Sequence, residues 1–378
     1  MIAAGLGLLL FVYVLIVIGI WLAWVALPCG GQKNGRHSPT AFVSVLVAAR
    51  NEANNLPALL SSLAAQNYPP HLLEVIIIND HSTDHTVSIV EDFAARTGSF
   101  NLRCISLPEA AKGKKAAIAA GINLARGTFI CTTDADCVPQ PGWVLQMVAA
   151  AEAHKAVFVS GPVKYISGSS LLSKLQAIEF SGLIAIGGAT ICLRQPTMCN
   201  GANLLFLREA FFAVNGYAGN EQIASGDDEF LLHKIAAAYP AGYFFNKNSE
   251  ATVATTPKAD VAGLMQQRIR WAGKWKHYQR NSPKVLAILV AAVYAGLLTG
   301  LFSALAGWLP WKYFVSFICV KFVVEALFFA TILRFFNQLK LLWLVVVLQL
   351  VQPLFVLAVA FFTMRGRYNW KDRTVYAS

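Results

Sequence analysis

Residues 129–143 read F-I-C-T-T-D-A-D-C-V-P-Q-P-G-W, which sets two carboxylates, Asp134 and Asp136, one residue apart at the end of a short apolar run. The run predicts a buried strand, and the Pro/Gly cluster after it a loop. Carboxylates placed where a chain leaves its pleat can both reach a hard cation. A divalent ion held by one or two carboxylates, with the rest of its shell given to phosphate oxygens, is how Mg2+ or Mn2+ usually meets a nucleotide. Turns and helix caps use the same D-x-D pattern, so the pair takes its meaning from what surrounds it.

The neighbouring sequence predicts the elements that would hold such a site. A β-rich run over 42–48 precedes Arg50-Asn51-Glu52-Ala53-Asn54-Asn55, whose Asn and Glu suit the start of a helix running to about Gln66. A strand over 74–78 ends in Asn79-Asp80-His81-Ser82-Thr83-Asp84, rich in capping residues, before a helix near 85–97. A third strand is expected over 102–106, and Lys112-Gly113-Lys114-Lys115 starts an Ala-rich helix ending near Gly121. Strands alternating with helices predict a mostly parallel sheet. Such sheets bind ligands beyond the carboxyl ends of their strands. Residues 48–52 (with Ala48 and Glu52), Asp80 and the Asp134/Asp136 pair all lie at such ends, where they can converge on one nucleotide. No G-x-G-x-x-G or Walker sequence is present, so neither a dinucleotide nor a P-loop site is supported.

Composition places the chain in a membrane. Hydrophobic residues make up 56% of 378 and charged residues only 13%, well under the roughly 25% of a soluble domain. Residues 2–27 carry no charge and are long enough to cross a hydrocarbon core of roughly 30 Å. They lack the basic n-region and A-x-A-like cleavage site of a signal peptide. Three more candidate spans lie near 285–306, 312–333 and 340–363. The expected organisation is an N-terminal transmembrane helix (1–28), an α/β catalytic domain (38–283), about three C-terminal transmembrane helices (284–364) and a basic tail (365–378). Lys33, Arg36 and His37 after the first helix, and Lys274, Lys276, Arg280 and Lys284 before the second, favour a cytoplasmic domain. Three crossings after residue 283 would put Arg365, Arg367, Lys371 and Arg373 outside, against the same rule. Either one C-terminal segment does not cross or the tail is an exception.

The net charge of +11 reads as attraction to anionic lipid headgroups. No zinc-finger or RNP-like motif points to nucleic acid. The seven cysteines form no C-x-x-C pair, which suits reduced thiols in a cytosolic domain. Cys131 and Cys137, which bracket the D-A-D, read as small buried fillers. Residues 181–193 are apolar, Gly-rich and too short to span; they predict an interfacial segment near the acceptor entrance or a buried core piece. Lys321 and Glu325 fall four apart inside a membrane helix, where pairing within the bundle is expected and a place on a substrate path is the alternative.

V-A-A-R-N-E-A-N-N-L, I-I-I-N-D-H-S-T-D, K-G-K-K-A-A, T-T-D-A-D, S-G-D-D-E-F-L and Q-R-I-R-W follow one another over roughly 40–280. In order and spacing this set resembles the membrane-embedded inverting family-2 glycosyltransferases, the branch of cellulose, hyaluronan and poly-N-acetylglucosamine synthases and ceramide glucosyltransferase. The resemblance implies a GT-A fold, Rossmann-like with a mostly parallel sheet, and a nucleotide-sugar donor, usually UDP-linked. It implies that Asp80 contacts the nucleobase, Asp134 lies near ribose and phosphate, Asp136 binds the metal, and Lys114 or Lys115, with Lys115 preferred, lies near the donor phosphates. Asp228 aligns with the general base; Asp227 departs from the usual Glu at its position, and Glu229 is expected to be only a solvated acidic residue at a helix start. On a helix Gln267 and Arg270 share a face with Trp271 beside them. Arg270 can bind a diphosphate bidentately, and Trp271 can offer its flat face to a sugar or lipid headgroup. An amphipathic interfacial helix would use the same residues, Trp275 and its lysines included.

These expectations combine into a metal-dependent, inverting, membrane-bound glycosyltransferase that moves a sugar to a lipid or glycan acceptor at the cytoplasmic face of the inner or plasma membrane. The alternative is a processive polysaccharide synthase that also helps extrude its product, with a partner subunit for export as a candidate partner. A more distant one is a non-catalytic nucleotide-sugar-binding membrane protein, against which Asp228 stands, because binding alone needs no base.

Overall fold

The structure, a computed structural model, describes residues 2–28, 39–98, 100–221, 223, 225–278, 280–364, 367–370 and 373–376. Lys33, Arg36 and His37, and Arg365 and Lys371 of the basic tail, lie outside the described residues. The chain forms two compact units. One comprises 27–166 and 191–256, the other 1–26, 167–190 and 257–378. Residues 167–190 and 257–283, expected within the α/β stretch, thus group with the apolar helices.

The first unit is α/β. Its strands are β1 (Val43–Ala49), β2 (Leu73–Asn79), β3 (Leu102–Ser106), β4 (Phe129–Thr132), β5 (Cys137–Pro139), β6 (Phe158–Ser160), β7 (Val163–Tyr165), β8 (Leu204–Leu207), β9 (Tyr243–Phe245) and β10 (Val253–Thr255). Seven form a sheet in the order β3-β2-β1-β4-β8-β6-β9, and three a smaller sheet, β5-β10-β7. β1 has β2 and β4 parallel on either side, while β8 runs antiparallel between β4 and β6. β1 and β2 are apolar along nearly their whole length and buried throughout apart from Ala48, as suits parallel strands covered on both faces. Helix Lys114–Leu124 packs on both strands, and helix Leu56–Ala64 buries Leu56, Leu59, Leu60 and Leu63 along one stripe. Because β1, β2 and β4 run parallel and in register, their carboxyl ends share one edge of the sheet.

The second unit is helical. Among the described residues, and including 339–344, five helices are long and apolar enough to cross a membrane: Ile2–Ala26, Leu171–Cys192, Ser282–Leu305, Trp311–Phe335 and Leu339–Met364. Four match the expected spans. The fifth corrects the reading of 181–193 as too short: the helix starts ten residues earlier, at Leu171, on a more polar turn that hides the apolar period, and most of it is buried. Gly296 and Gly300 let Ser282–Leu305 approach Ile2–Ala26; a Cβ there would stand 2.9 Å from Leu9 and 3.1 Å from Leu6.

Lys321 and Glu325 pair at 2.7 Å inside the helical unit, both buried. Gln349 accepts from the Lys321 ammonium at 2.6 Å and donates its amide to Glu325. Tyr13 donates its hydroxyl to the same carboxylate, and Tyr294 places its ring 5.2 Å from the ammonium. Charges so satisfied tie four helices together, which is how ionisable groups persist among apolar helices. Helix Val261–Ala272, which carries Q-R-I-R-W, packs against both Val345–Met364 and the first strand, Arg367–Trp370, of a terminal hairpin. Lys274, expected as a solvated membrane flank, is buried.

One polar group interrupts the apolar pattern of β2. Glu74 is fully buried and accepts from Ser44 Oγ at 2.6 Å and Arg126 N at 2.7 Å on one oxygen, and from Arg103 Nη2 at 2.9 Å and Arg126 Nε at 3.2 Å on the other. It thereby ties β1, β2, β3 and the turn before β4 at the edge opposite their carboxyl ends. Burial works to raise its pKa, but these hydrogen bonds and guanidinium groups outweigh it and hold the carboxyl below its ordinary value. A depressed folded-state pKa contributes stability above the unfolded value of about 4.3, and that contribution is lost as pH falls through the folded value. Both arginines reach solvent, so the expected cost of Glu74→Gln is that of charge-assisted hydrogen bonds, about 1.5–3 kcal/mol. Thermal unfolding should show that cost at pH 7, with wild type and variant converging under acid conditions.

Candidate active site

The site is built on the carboxyl-terminal edge of β1, β2 and β4. Asp80 follows β2 directly; its backbone N–H donates to Ala49 O at 2.8 Å, continuing the ladder one residue past the strand. Its buried side chain accepts from Gly113 N at 3.1 Å. Gly113 has φ +92, a conformation that glycine adopts without strain, and it ends the loop just before helix Lys114–Leu124. The Asp80 bond therefore fixes where that helix begins, and with it the side chain of Lys114.

Lys114, rather than Lys115, meets the D-A-D. Its ammonium donates to Asp134 Oδ1 and stands 3.6 Å from Asp227 Oδ2. Burial disfavours the charge, but Asp134, Asp227 and Asp228 outweigh it and raise the pKa well above the ordinary lysine value. Lys115 points elsewhere: its ammonium donates to Asn220 O at 2.6 Å and Ile223 O at 2.7 Å. It holds the segment that leads into helix Asp227–Ala238. The two lysines are one position apart, and helical phase alone separates their roles.

Asp134 and Asp136 flank a turn between β4 and β5, closed by Cys137 N donating to Asp134 O at 3.1 Å. Thr255 on β10 fixes that turn through its hydroxyl, which donates to Asp136 O at 3.3 Å. Ligand atoms of Asp134, Asp136 and Cys137 lie within 4.8 Å of one another. Burial first, then the two carboxylates, push the Cys137 thiol well up. It stays protonated at neutral pH, so the set remains one of hard oxygen ligands, suited to Mg2+ or Mn2+.

Asp228 lies in the first turn of its helix and accepts from Gly201 N at 2.8 Å and Glu229 N at 2.8 Å. Gly201 O accepts from Thr132 Oγ1 at the end of β4 at 2.9 Å. One residue thus joins the D-A-D strand to the Asp227-Asp228 helix. A Cβ on Gly201 would stand 3.1 Å from Lys114 Nζ and 3.4 Å from Asp227 Oδ2. Sequence reasoning missed Gly201; its signal is the uncharged run C-N-G-A-N at 199–203, too rich in turn residues for the apolar strand it precedes. Tyr217 was missed as well: burial, then Asp227, push its hydroxyl well up, so it stays protonated beside the acids. Glu229, expected to be solvated, is buried.

Ala48 lies on β1, in register with Ile78. Glu52 uses its backbone N–H to donate to Thr86 Oγ1 at 2.8 Å, and its carboxylate accepts from Asn55 Nδ2 at 2.6 Å. Ala48 belongs to the strand itself, and Glu52 to the turn that follows it. Gln267, Arg270 and Trp271 lie on Val261–Ala272 in the helical unit. The buried guanidinium of their motif is that of Arg268.

Residues 44–212 match the family described as Glycosyl transferase family 2. The chain is similar to the poly-beta-1,6-N-acetyl-D-glucosamine synthase of Staphylococcus epidermidis, 26% identical over 245 residues, 62% of this chain and 55% of that protein. It is similar also to the probable glycosyltransferase YdaM of Bacillus subtilis, 33% identical over 235 residues, 61% of this chain and 54% of that one. The chain thus spans about half the length of these curated relatives. Among solved structures its fold is like that of the mannosyltransferase PcManGT from Pyrobaculum calidifontis in complex with GDP-Man and Mn2+, with a TM-score of 0.60 and 21% identity over 92% of this chain and 98% of that one.

Gly201→Ala tests the junction. A methyl group there would make the Lys114 ammonium, the mobile end of a flexible side chain, give by a few tenths of an ångström. The fold should survive, with Tm within about 4 °C of wild type. Turnover should fall by about 10-fold, less than the roughly 100-fold of a misplacement near 1 Å; turnover measured against Tm checks both.

Proposed function

We propose that the chain, whose residues 44–212 match Glycosyl transferase family 2, moves a sugar from a nucleoside diphosphate donor to a membrane-borne lipid or glycan with inversion at the anomeric carbon. The carrying observation is that Lys114 links the D-A-D carboxylate Asp134 to Asp227, next to Asp228, inside one compact unit. Donor grip and acceptor base are thus held by one side chain.

In this reading Asp80 takes the nucleobase, Asp134 the ribose and phosphate side, and Asp136 with Asp134 would hold Mg2+ or Mn2+. Bound there, the ion would neutralise diphosphate oxygens. Lys114 supplies a second positive charge at the same place. Asp228 accepts the proton of the acceptor hydroxyl as that oxygen attacks from the face opposite the nucleotide, and this single displacement inverts the centre. The diphosphate leaves without a proton, so no carboxylic acid partner is required, unlike glycoside hydrolysis. Gln267, Arg270 and Trp271 serve the diphosphate and the acceptor: Arg270 through paired hydrogen bonds, Trp271 through its ring face.

The relative from S. epidermidis makes N-acetylglucosamine the first sugar to try, as the UDP derivative, with UDP, GDP and dTDP sugars compared by diphosphate release. The same relative supports the processive reading. The modest number of membrane helices favours a short or lipid acceptor or a partner subunit for export. Product size after incubation with labelled donor separates these readings. The basic residues before Ser282–Leu305 favour a catalytic unit on the cytoplasmic face. With three C-terminal crossings the tail would lie outside, so either one C-terminal helix does not cross or the basic tail is an exception to that preference.

Asp228→Asn should retain donor affinity, read by calorimetry, and lose transfer by about 10²–10⁴-fold; unchanged turnover would remove Asp228 from the mechanism. Excess EDTA should abolish transfer, and added Mn2+ or Mg2+ restore it; full activity in EDTA contradicts the metal.

A further inference from the structure

The Q-R-I-R-W segment contains two arginines, and the structure gives them different work. Arg268 is buried and meets Glu179 with both arms: Nε donates to Oε1 at 2.9 Å and Nη2 to Oε2. Its remaining arm, Nη1, donates to Gln267 Oε1 at 2.7 Å. The guanidinium lies over the Trp271 ring, 4.4 Å from its centroid. Phe180, next to Glu179 in sequence, sets its ring 6.1 Å from that of Trp271, tilted by 35°. All of these residues belong to the helical unit. Glu179 comes from Leu171–Cys192 and the others from Val261–Ala272.

Two consequences follow from hydrogen-bond chemistry. Gln267 accepts from a cation at its carbonyl oxygen, which fixes the orientation of its amide, so the group it can present to a ligand is an N–H donor. One face of Trp271 is covered by the guanidinium, which leaves stacking to the other. A fork fixed by a carboxylate sets both at once. Lysine could not do this, since a point charge neither forks nor stacks in a plane.

We propose that Glu179 and Arg268 are positioning residues for the acceptor: through Arg268, Glu179 sets Gln267 as a hydrogen-bond donor and orients the Trp271 ring toward a hydroxyl-bearing acceptor such as a glycan end or a lipid headgroup. Glu179 touches neither donor nor acceptor. The inference rests on the glycosyltransferase reading above and adds to it a residue outside all six motifs.

The test uses the full chain in membranes, with UDP-N-acetylglucosamine or whichever nucleotide sugar the donor screen selects. Kinetics are measured against acceptor concentration, and UDP binding by calorimetry. Glu179→Gln should leave UDP affinity within about twofold while kcat/KM for the acceptor falls by about 10-fold or more, as second-sphere partners do elsewhere. Arg268→Lys should lose as much, although it keeps the charge. Exchanging the pair, E179R with R268E, should not recover the loss, because a carboxylate at 268 can neither donate to Gln267 nor lie as a cation over Trp271; recovery would mean that the ion pair alone matters and overturns the proposal. A purely structural role would lower Tm and leave acceptor kinetics per folded molecule unchanged. That result in Glu179→Gln, or in Arg268→Lys should the first variant not fold, overturns the proposal. A wild-type protein that transfers no sugar overturns the parent reading and this one together; wild-type transfer matched by Glu179→Gln overturns this one alone.

Discussion

The α/β unit depends on solving a problem of like charges. Asp134, Asp136, Asp227 and Asp228 are four carboxylates from two segments far apart in sequence. The ammonium of Lys114 meets Asp134 and Asp227, and with Asp228 these acids keep it protonated despite its burial. A lysine buried alone would lose its proton. Much local structure serves that placement. Asp80 fixes the start of the lysine's helix through Gly113, and Gly201 leaves room for the ammonium while its backbone joins the end of β4 to Asp228.

What was legible in the sequence was whatever depends on short range. The strands over 42–48, 74–78 and 102–106 form within a residue or two, because continuous apolar runs bounded by capping residues leave little choice. The carboxylates fall on the carboxyl edge because the residue after a strand is a local matter. Decisions of helical phase were not legible. Lys114 and Lys115 differ by about 100° on one helix, and so in effect do the choices among Arg268, Trp271 and Arg270; a string of letters does not say which side is covered. Glu229 looked solvated because an acidic first turn usually is, yet tertiary packing covers it. Leu171–Cys192 was shortened because its first turns carry Lys174 and Glu179, which mask an apolar helix whose charged residue is taken up by Arg268.

Buried charge is handled alike in both units. Glu74 at the far edge of the sheet, Lys321 with Glu325 among the apolar helices, and Glu179 with Arg268 beside Trp271 each reach near-complete hydrogen bonding. An unpaired charge in any of these places would cost several kcal/mol. The pairs stabilise less than apolar packing would, but they specify more. A leucine tolerates many neighbours, whereas a forked guanidinium accepts one arrangement. That is why Gly296, Gly300 and a roster of leucines suffice to bring the helices together, while their register falls to Lys321, Glu325, Gln349 and Tyr13.

The two units hold their polar residues by different means. In the α/β unit several bonds use backbone groups: Gly113 N to Asp80, Gly201 N to Asp228, and Thr255 to the carbonyl of Asp136. Changing a side chain elsewhere leaves those bonds in place, because they belong to the strand ends and to the turns between them. The Q-R-I-R-W side is held by side chains, Glu179 to Arg268 and Arg268 to Gln267 and Trp271, and a single substitution can retune it without disturbing the sheet. A substitution at a strand end is therefore expected to disturb the sheet, whereas one on Val261–Ala272 is expected to change only which side chains meet.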